Sequence, residues 1–188
     1  MRDDSPAAGV VLAAGAGTRY GIPKVLAEQG TWLHDAVAAL YGGGCDDVVV
    51  VLGAAIVEVP APARAVVAQD WADGLSASLK AGVVAVEHGP AQFAVLHPVD
   101  TPDVGADVVR RVLVAARSAS HGIARAVYGS TPGHPVVIAR RHWGELLDSA
   151  RGDEGGRVFL GRHADRVVAV DCSDLASGRD RDVPEGRR

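Results

Sequence analysis

The sequence is poor in aromatic residues and in cysteine, and it has no long hydrophobic run. Aromatic side chains make up 4% of its 188 residues, so the core must consist mainly of Val, Leu, Ala and Ile. The two cysteines, Cys45 and Cys172, lie far apart, which argues against a disulfide framework or a zinc site. No apolar run approaches the roughly 20 residues of a membrane-spanning helix. The acidic start over residues 1–6 lacks a signal-peptide pattern, so we expect a cytoplasmic protein without membrane contact.

An excess of basic residues is also missing. The chain has 19 Lys and Arg against 23 Asp and Glu, a formal net charge of −4, which argues against binding to a nucleic-acid backbone. The length suffices for one domain with a sizeable core. No linker, internal repeat or low-complexity block interrupts the chain. We therefore expect a single domain over residues 1–188, with an N-terminal tail over about 1–8 and an extended C-terminal tail over about 177–188.

Short, uniformly apolar segments alternate with segments of helical spacing. Strands are predicted at 9–14, 47–52, 64–68, 92–98 and 167–170, and helices at 34–41, 75–88, 106–118, 140–149 and 155–163. Segments 123–128 and 135–139 flank a Gly/Pro/Ser/Thr turn and are predicted to pair near the sheet's edge. The pattern predicts an α/β fold: a three-layer sandwich with a Rossmann-like, mostly parallel sheet and a small antiparallel edge element. Ligands of such sheets bind beyond the carboxyl ends of the strands.

The loop after the first predicted strand, residues 12–24, reads LAAGAGTRYGIPK. Its glycines allow backbone N–H groups to approach phosphate oxygens, and Arg19 and Lys24 add positive charge. The spacing GxGxxxG is one residue too long for the dinucleotide fingerprint, no acid ends the second strand, and the Walker A pattern is absent. The loop matches LAAGxGxRxGxPK at every fixed position. That pattern resembles the signature of nucleotidyltransferases that activate sugars, alditols and molybdopterin.

A carboxylate follows the strand predicted at 92–98. Asp100, in the segment PVDTP, would project from the carboxyl end of the sheet close to the glycine-rich loop. Magnesium usually takes one or two protein carboxylates plus phosphate oxygens, so Asp100 is a candidate metal ligand. The alternative is a helix cap, a role that Thr101 or Asp103 could also fill. Together, the loop and Asp100 supply both halves of a metal–triphosphate site.

Four blocks together are similar to one family, the molybdenum-cofactor cytidylyltransferases and their relatives. The blocks are LAAGAGTRYGIPK, WADGLSASLKAG at 71–82, PVDTP at 98–102, and GHPV at 133–136 followed by GDEGGR at 152–157. The resemblance spans about residues 9–185. Tyr20 and Leu75 stand where family members usually have Met, and Val183 and Gly186 depart from the family in the tail.

The resemblance implies transfer of a nucleoside monophosphate from an NTP, with CTP favoured, to a phosphorylated acceptor such as molybdopterin, with Mg²⁺ as cofactor. It implies a catalytic set of Arg19, Lys24 and Asp100. It implies nucleotide contacts from Leu12, Ala13, Ala14, Gly15, Gly17, Lys24, Gly74 and Ser76, and acceptor contacts from Gly133, His134 and Pro135. The tail at 180–185 would pack toward the site, with Asp182 or Asp180 joining Asp100 as metal ligand. A molybdoenzyme or its chaperone is the candidate protein partner.

Several residues keep a second interpretation. Ser76 and Asp153 also fit helix caps, Lys80 a solvated lysine, His97 a packed histidine and His134 a turn residue. The alternative functions are a sugar-phosphate or guanylyl-type nucleotidyltransferase, a non-catalytic nucleotide-binding sensor and, third, a dehydrogenase. Base preference and acceptor stay open, because the selecting contacts are expected from backbone groups.

Overall fold

The computed structural model describes residues 4–182. Residues 1–3 and 183–188 lie outside the described part, and with them the start of the expected N-terminal tail and the departures at Val183 and Gly186. Seven strands are described: β1 (Ala7–Leu12), β2 (Asp47–Leu52), β3 (Arg64–Val67), β4 (Phe93–Pro98), β5 (Ile123–Tyr128), β6 (Thr131–Ala139) and β7 (Val168–Asp171). They form one sheet in the order β3-β2-β1-β4-β6-β5-β7.

Five α-helices connect the strands: α1 (Thr31–Gly42), α2 (Leu75–Glu87), α3 (Ala106–Ser118), α4 (Trp143–Ser149) and α5 (Arg157–Arg162). Short 3-10 turns cover Lys24–Gly30, Trp71–Asp73, Arg140–His142 and Gly152–Glu154. None of the helices in the described residues is long and apolar enough to cross a membrane.

The sheet separates two apolar layers. Strands β1, β2 and β4 are buried along almost their whole length, as expected of parallel strands covered on both faces. Leu40 of α1 and Leu113 of α3 belong to the core on one face. Leu79 of α2 and Phe159 of α5 belong to the core on the other face. This arrangement confirms the predicted α/β fold with a mostly parallel sheet between helices.

Strand β6 runs antiparallel to both of its neighbours, β4 and β5. The predicted pairing near the edge is therefore present, but β7 pairs parallel to β5 and occupies the edge itself. Strand β6 also begins at Thr131, four residues before its predicted start, so the prediction of a turn at His134 is wrong. The chain reverses earlier, because Gly129 takes a left-handed φ of 62° and Tyr128 pairs with Thr131.

Four of the five predicted helices have different bounds. Helix α2 ends one residue earlier than predicted, and α4 begins three residues later, because Arg140–His142 form a 3-10 turn. Helix α1 begins at Thr31, three residues earlier than predicted, immediately after Gly30 with its left-handed φ of 85°. The helix predicted at 155–163 is shortened to α5, because Gly155 takes a φ of 53° and ends the preceding 3-10 turn. The carboxyl ends of β1 and β4 stay side by side: the Val99 N–H donates to the Leu12 carbonyl at 3.1 Å. The glycine-rich loop and the Asp100 segment therefore leave the sheet together.

Candidate active site

The glycine-rich loop leaves β1 and closes on itself before it reaches Lys24. The Gly21 N–H donates to the Gly17 carbonyl at 2.8 Å, and Gly17 has a left-handed φ of 62°. A Cβ at Gly17 would lie 1.9 Å from the Ile22 carbonyl oxygen, so only glycine fits there. The residue by which GxGxxxG exceeds the dinucleotide fingerprint therefore lies within this closed turn, between Gly17 and Gly21.

The middle of the loop presents backbone donors that the protein itself does not use. The Ala13 N–H donates to the Val51 carbonyl at 3.0 Å and anchors the loop to the sheet. Among the described residues, none accepts a hydrogen bond from the N–H groups of Gly15, Ala16 or Gly17. Successive N–H groups without partners form a concave site for anions. The loop therefore has the chemistry of a phosphate cradle.

Lys24 lies between two carboxylates. Its ammonium Nζ donates to Asp100 Oδ2 at 2.6 Å and to Asp182 Oδ1 at 2.7 Å, and its side chain is 16% exposed. Burial lowers the pKa of Lys24, but the hydrogen bonds and the attraction of Asp100 and Asp182 outweigh it, so the pKa is raised. Lys24 is therefore a cation at neutral pH, and it joins the loop after β1, the loop after β4 and the C-terminal tail.

The C-terminal tail crosses the end of the sheet at this lysine. The backbone N–H of Arg181 donates to the Asp100 carbonyl at 2.9 Å, and Arg19 lies 3.6 Å from Asp182. The hydrogen bond from Lys24 lowers the pKa of Asp182. The described part of the tail, residues 177–182, therefore returns to the glycine-rich loop, instead of extending freely into solvent as its composition predicted.

Three carboxylates, those of Asp100, Asp180 and Asp182, share this region with Lys24. Burial raises the pKa of Asp180, and the negative charges of Asp100 and Asp182 raise it further. Such mutual repulsion favours a bound cation, and clustered carboxylate oxygens are the ligands that Mg²⁺ and Mn²⁺ prefer. Among the described residues these three carboxylates do not form one compact group of ligand atoms. Asp100 and Asp182, which flank the same Lys24 ammonium, offer carboxylate oxygens of the kind that a divalent ion binds.

The N-terminus of α2 forms the wall opposite the loop. Gly74 precedes the helix with a φ of 107°, and a Cβ there would lie 2.5 Å from Asp153 Oδ1. Glycine thus lets the turn around Asp153 pack against the helix end. Neither Ser76 nor Asp153 accepts a capping hydrogen bond from a backbone N–H at the start of a helix, because the N-cap positions of α2 and α5 are Gly74 and Gly156. Both cap interpretations are therefore wrong. Ser76 is 4% exposed, and its hydroxyl has no hydrogen-bond partner among the described residues. Neither Ser76 nor Lys80 lines the two clefts described next.

Two adjoining clefts meet at the carboxyl end of the sheet. The smaller, of about 580 Å³, is here named the loop cleft, because residues 12–19 line it together with Lys24, Trp71, Gly74, Ser78 and Asp100. The larger, of about 1230 Å³, is named the wide cleft and lies along β5, β6 and α5. Both clefts share the side chains of Leu12, Leu75, His134, Asp153, Asp180 and Asp182.

Gly133 and His134 line the wide cleft, whereas Pro135 faces neither cleft. Burial, with a contribution from Arg125, lowers the pKa of His134 to about 4, and Asp100 opposes the shift. His97 is 1% exposed, and burial, with a contribution from His134, lowers its pKa to about 3. Both histidines are therefore neutral at physiological pH. His97 faces neither cleft and is a packed residue.

The two departures from the family pattern at described positions lie in different surroundings. Tyr20 is 8% exposed, and its ring packs on Trp32 with ring centroids 5.2 Å apart. It lines neither cleft. Leu75, by contrast, lines both clefts and is 44% exposed. Of these two substitutions, only Leu75 is in a position to contact a ligand.

One residue of the wide cleft, Arg125, did not emerge from the sequence. It lies on β5, and its guanidinium Nη2 donates to the Gly133 carbonyl at 3.4 Å. The available signal was a single charged residue within the apolar strand IARAVY.

Comparison with known proteins identifies several relatives. Nicotine blue oxidoreductase of Paenarthrobacter nicotinovorans is 38% identical over 192 residues, covering 94% of this chain and 92% of the relative. The crystal structure of Rv0371c from Mycobacterium tuberculosis H37Rv has a TM-score of 0.73 and 28% identity, covering 96% of this chain and 95% of that one. A complex of Rv0371C with manganese has a TM-score of 0.67 and 29% identity, covering 88% and 89%.

A nucleotidyl transferase from Methanothermobacter thermautotroptrophicus shares the fold, with a TM-score of 0.73, 22% identity and coverage of 89% and 88%. Residues 9–167 match the family model of the MobA-like NTP transferase domain. The matched range includes the glycine-rich loop, Asp100, and strands β5 and β6 of the wide cleft. The chain therefore belongs to the MobA-like NTP transferase domain family.

Proposed function

We propose that this protein transfers a nucleoside monophosphate from an NTP, CTP being favoured, to a phosphorylated acceptor and releases pyrophosphate. The observation that carries the proposal is the position of Lys24. It is held between Asp100 and Asp182, in a loop where the N–H groups of residues 15–17 have no acceptor among the described residues. A cation, unused donors and clustered carboxylates are the groups that a metal-bound triphosphate requires.

We assign the NTP to the loop cleft and the acceptor to the wide cleft. The free N–H groups of the loop and the N-terminus of α2 would bind phosphate oxygens. Lys24 and Arg19 would neutralise the charge that develops as pyrophosphate leaves. The two clefts adjoin at residues that line both of them, including His134 and Asp182. At this junction the acceptor's phosphate oxygen would approach the α-phosphorus of the NTP.

The reaction requires no general base from this chain. A phosphate monoester has its second pKa at about 6 and is mostly a dianion at neutral pH, so its oxygen attacks without losing a proton. This agrees with a site whose nearest histidine, His134, has a pKa of about 4 and stays neutral. Catalysis then depends on orientation and charge neutralisation.

Asp100 and Asp182, with Asp180 beside them, would hold a divalent ion, and Mg²⁺ is proposed. A bound ion would supply neutralisation of the triphosphate charge. The donor chemistry of the three carboxylates supports this assignment, as does the manganese complex of the relative Rv0371C. Molybdopterin as the acceptor, and a molybdoenzyme or its chaperone as the recipient, follow from the family resemblance and belong to the same proposal.

Pyrophosphate release tests the proposal. Each of the four NTPs is incubated with Mg²⁺ and a panel of phosphorylated acceptors, molybdopterin included. Lys24→Ala should lower turnover by about 100-fold or more, the loss expected for one transition-state charge. Lys80→Ala is the matched control, because this lysine lies on α2 and lines neither cleft. Normal turnover in Lys24→Ala would refute the proposed site.

A second candidate function is suggested by the 38% identical relative, nicotine blue oxidoreductase. The adjoining clefts would then hold a reduced dinucleotide and an electron acceptor. Against this stand the GxGxxxG spacing and the lack of an acid after β2 for the ribose. Oxidation of NADH or NADPH, followed by absorbance with a dye acceptor, separates the two functions. Dye-dependent oxidation without pyrophosphate release would favour the oxidoreductase.

A further inference from the structure

Arg125 is a half-buried cation in the wall of the wide cleft. It lies in the middle of β5, where it pairs with Val136 of β6 and Ala169 of β7. The adjoining floor of the cleft is apolar and includes Leu79, Leu96, Val136, Ile138 and Leu160. Arg125 is the one charged side chain of a strand that is otherwise apolar, and charged residues are rarely buried in such strands.

The guanidinium of Arg125 has almost no partners. In the described part of the chain no carboxylate forms an ion pair with it, whereas Arg111 is paired with Asp174 and Arg64 with Asp47. Its Nε is buried without a hydrogen-bond partner, and its one hydrogen bond, to the Gly133 carbonyl, is long at 3.4 Å. Burial lowers the pKa of Arg125, and no carboxylate opposes that shift. An unpaired buried charge is costly unless a ligand supplies the opposite charge.

The position of Arg125 relative to His134 indicates where an anion bound to Arg125 would lie. The pKa of His134 is lowered by Arg125 and raised by Asp100, so the histidine feels the charges of both residues. His134 also lines both clefts. An anion bound to Arg125 in the wide cleft would therefore lie near His134, a residue that both clefts share.

We propose that Arg125 binds the phosphate of the second substrate and orients it toward the loop cleft, while the apolar floor holds the rest of that molecule. The identity of this ligand as the acceptor rests on the proposed function; the anion site itself does not. A planar guanidinium can bind a phosphate through two parallel hydrogen bonds, which a single ammonium cannot reproduce. The substrate class is thus a phosphomonoester with an apolar body.

Binding is tested with inorganic phosphate as the probe. Nitrogen-15 NMR follows the Nε–H signal of Arg125, which is assigned by its disappearance in Arg125→Lys. Phosphate should shift this signal saturably, and acetate should shift it less. Calorimetry in the presence of saturating CTP, which occupies the loop cleft, should give about 10- to 100-fold weaker phosphate binding for Arg125→Gln, with Arg125→Lys intermediate.

Arg117→Gln is the matched control. Arg117 also has a buried Nε without a partner among the described residues, but it lines neither cleft and donates to the Ser5 carbonyl. Its phosphate binding should equal that of the unmodified protein. Circular dichroism and thermal melting establish that each variant is folded, and the Arg125→Lys variant retains the charge if Arg125→Gln does not fold. An unshifted Nε–H signal, equal phosphate binding in Arg125→Gln, or tighter binding of acetate than of phosphate would overturn the proposal.

Steady-state kinetics separates this proposal from the proposed function. Arg125→Gln should raise KM for the phosphorylated acceptor by about 10- to 100-fold and leave KM for the NTP unchanged. If no NTP is turned over but phosphate still shifts the Arg125 signal, the transferase proposal fails and the anion site stands. If turnover is normal and the acceptor KM of Arg125→Gln is unchanged, the role of Arg125 is refuted and the transferase stands.

Discussion

Asp182→Asn is expected to change NTP affinity in opposite directions with and without metal. Without metal, Asp182 competes with a triphosphate for Lys24, to which it accepts a hydrogen bond at 2.7 Å, and it also faces Arg19 at 3.6 Å. The substitution frees part of both cations and removes a negative charge from the loop cleft. With Mg²⁺, the proposal makes the same carboxylate a metal ligand, so its loss should weaken the binding of the Mg²⁺-bound NTP.

The magnitude follows from exposure. A hydrogen bond between charged groups contributes about 1.5–3 kcal/mol, but the Asp182 side chain is 48% exposed, which reduces the net value to about 1 kcal/mol. Since 1.4 kcal/mol corresponds to a factor of about 10, metal-free CTP should bind about fivefold more tightly to Asp182→Asn. Because exposed charges are screened, this gain should shrink as salt is added.

Calorimetric titration with CTP, in chelator and in Mg²⁺, measures both affinities. Asp174→Asn is the control: it removes an equal charge from a carboxylate that bonds Arg111 and lines neither cleft. That variant should match the unmodified protein in both buffers. Metal-free affinity that stays equal or falls in Asp182→Asn would refute the competition for Lys24. Equal affinity in Mg²⁺ would refute Asp182 as a metal ligand.

Three further predictions concern the loop, the core and the buried histidines. Gly17→Ala should lower the free energy of unfolding in urea by about 1–3 kcal/mol and weaken CTP binding, because the new methyl meets the Ile22 carbonyl; a stable variant with normal binding would contradict this. Phe159→Ala, at a fully buried position, should cost about 3–5 kcal/mol in the same assay. The pKa of His97 falls from 6.5 to about 3 on folding and that of His134 to about 4, so the unfolded chain binds protons first as pH drops. The contribution of these histidines to stability should therefore be complete above about pH 6.5 and decline toward pH 3. His97→Gln should flatten the decline, and an unchanged decline would contradict a neutral, buried His97.

The features that follow from local pattern were predictable from the sequence. Strand β1 is a flat apolar run, and the loop after it carries its glycines and cations within a few residues. Asp100 follows β4 by two positions, and parallel strands bring their carboxyl ends together. The core of α3 was visible for the same reason, since its buried residues recur at helical spacing: Val108, Val109, Val112, Leu113 and Ala116.

Features that depend on distant pairing were not predictable from pattern. Asp182 contacts Lys24 across 158 positions in the sequence. Only the family resemblance predicted that the tail packs toward the site. The start of β6 escaped prediction because its pairing with β5 extends the strand through residues 131–134, where Gly and Pro suggest a turn. Arg125 escaped because its significance is a missing partner, and a sequence cannot show which charges stay unpaired.

The network around Lys24 gives the proposed reaction an ordered requirement for its components. The Lys24 ammonium donates hydrogen bonds to the carboxylates of Asp100 and Asp182, at 2.6 and 2.7 Å. An NTP alone would have to break these bonds while it brings more negative charge next to three carboxylates. Asp100 and Asp182 would hold a divalent ion, whose charge would offset that repulsion and leave Lys24 available to the triphosphate. The same groups would thus favour the metal-bound NTP over the free nucleotide, which is the asymmetry that Asp182→Asn should remove.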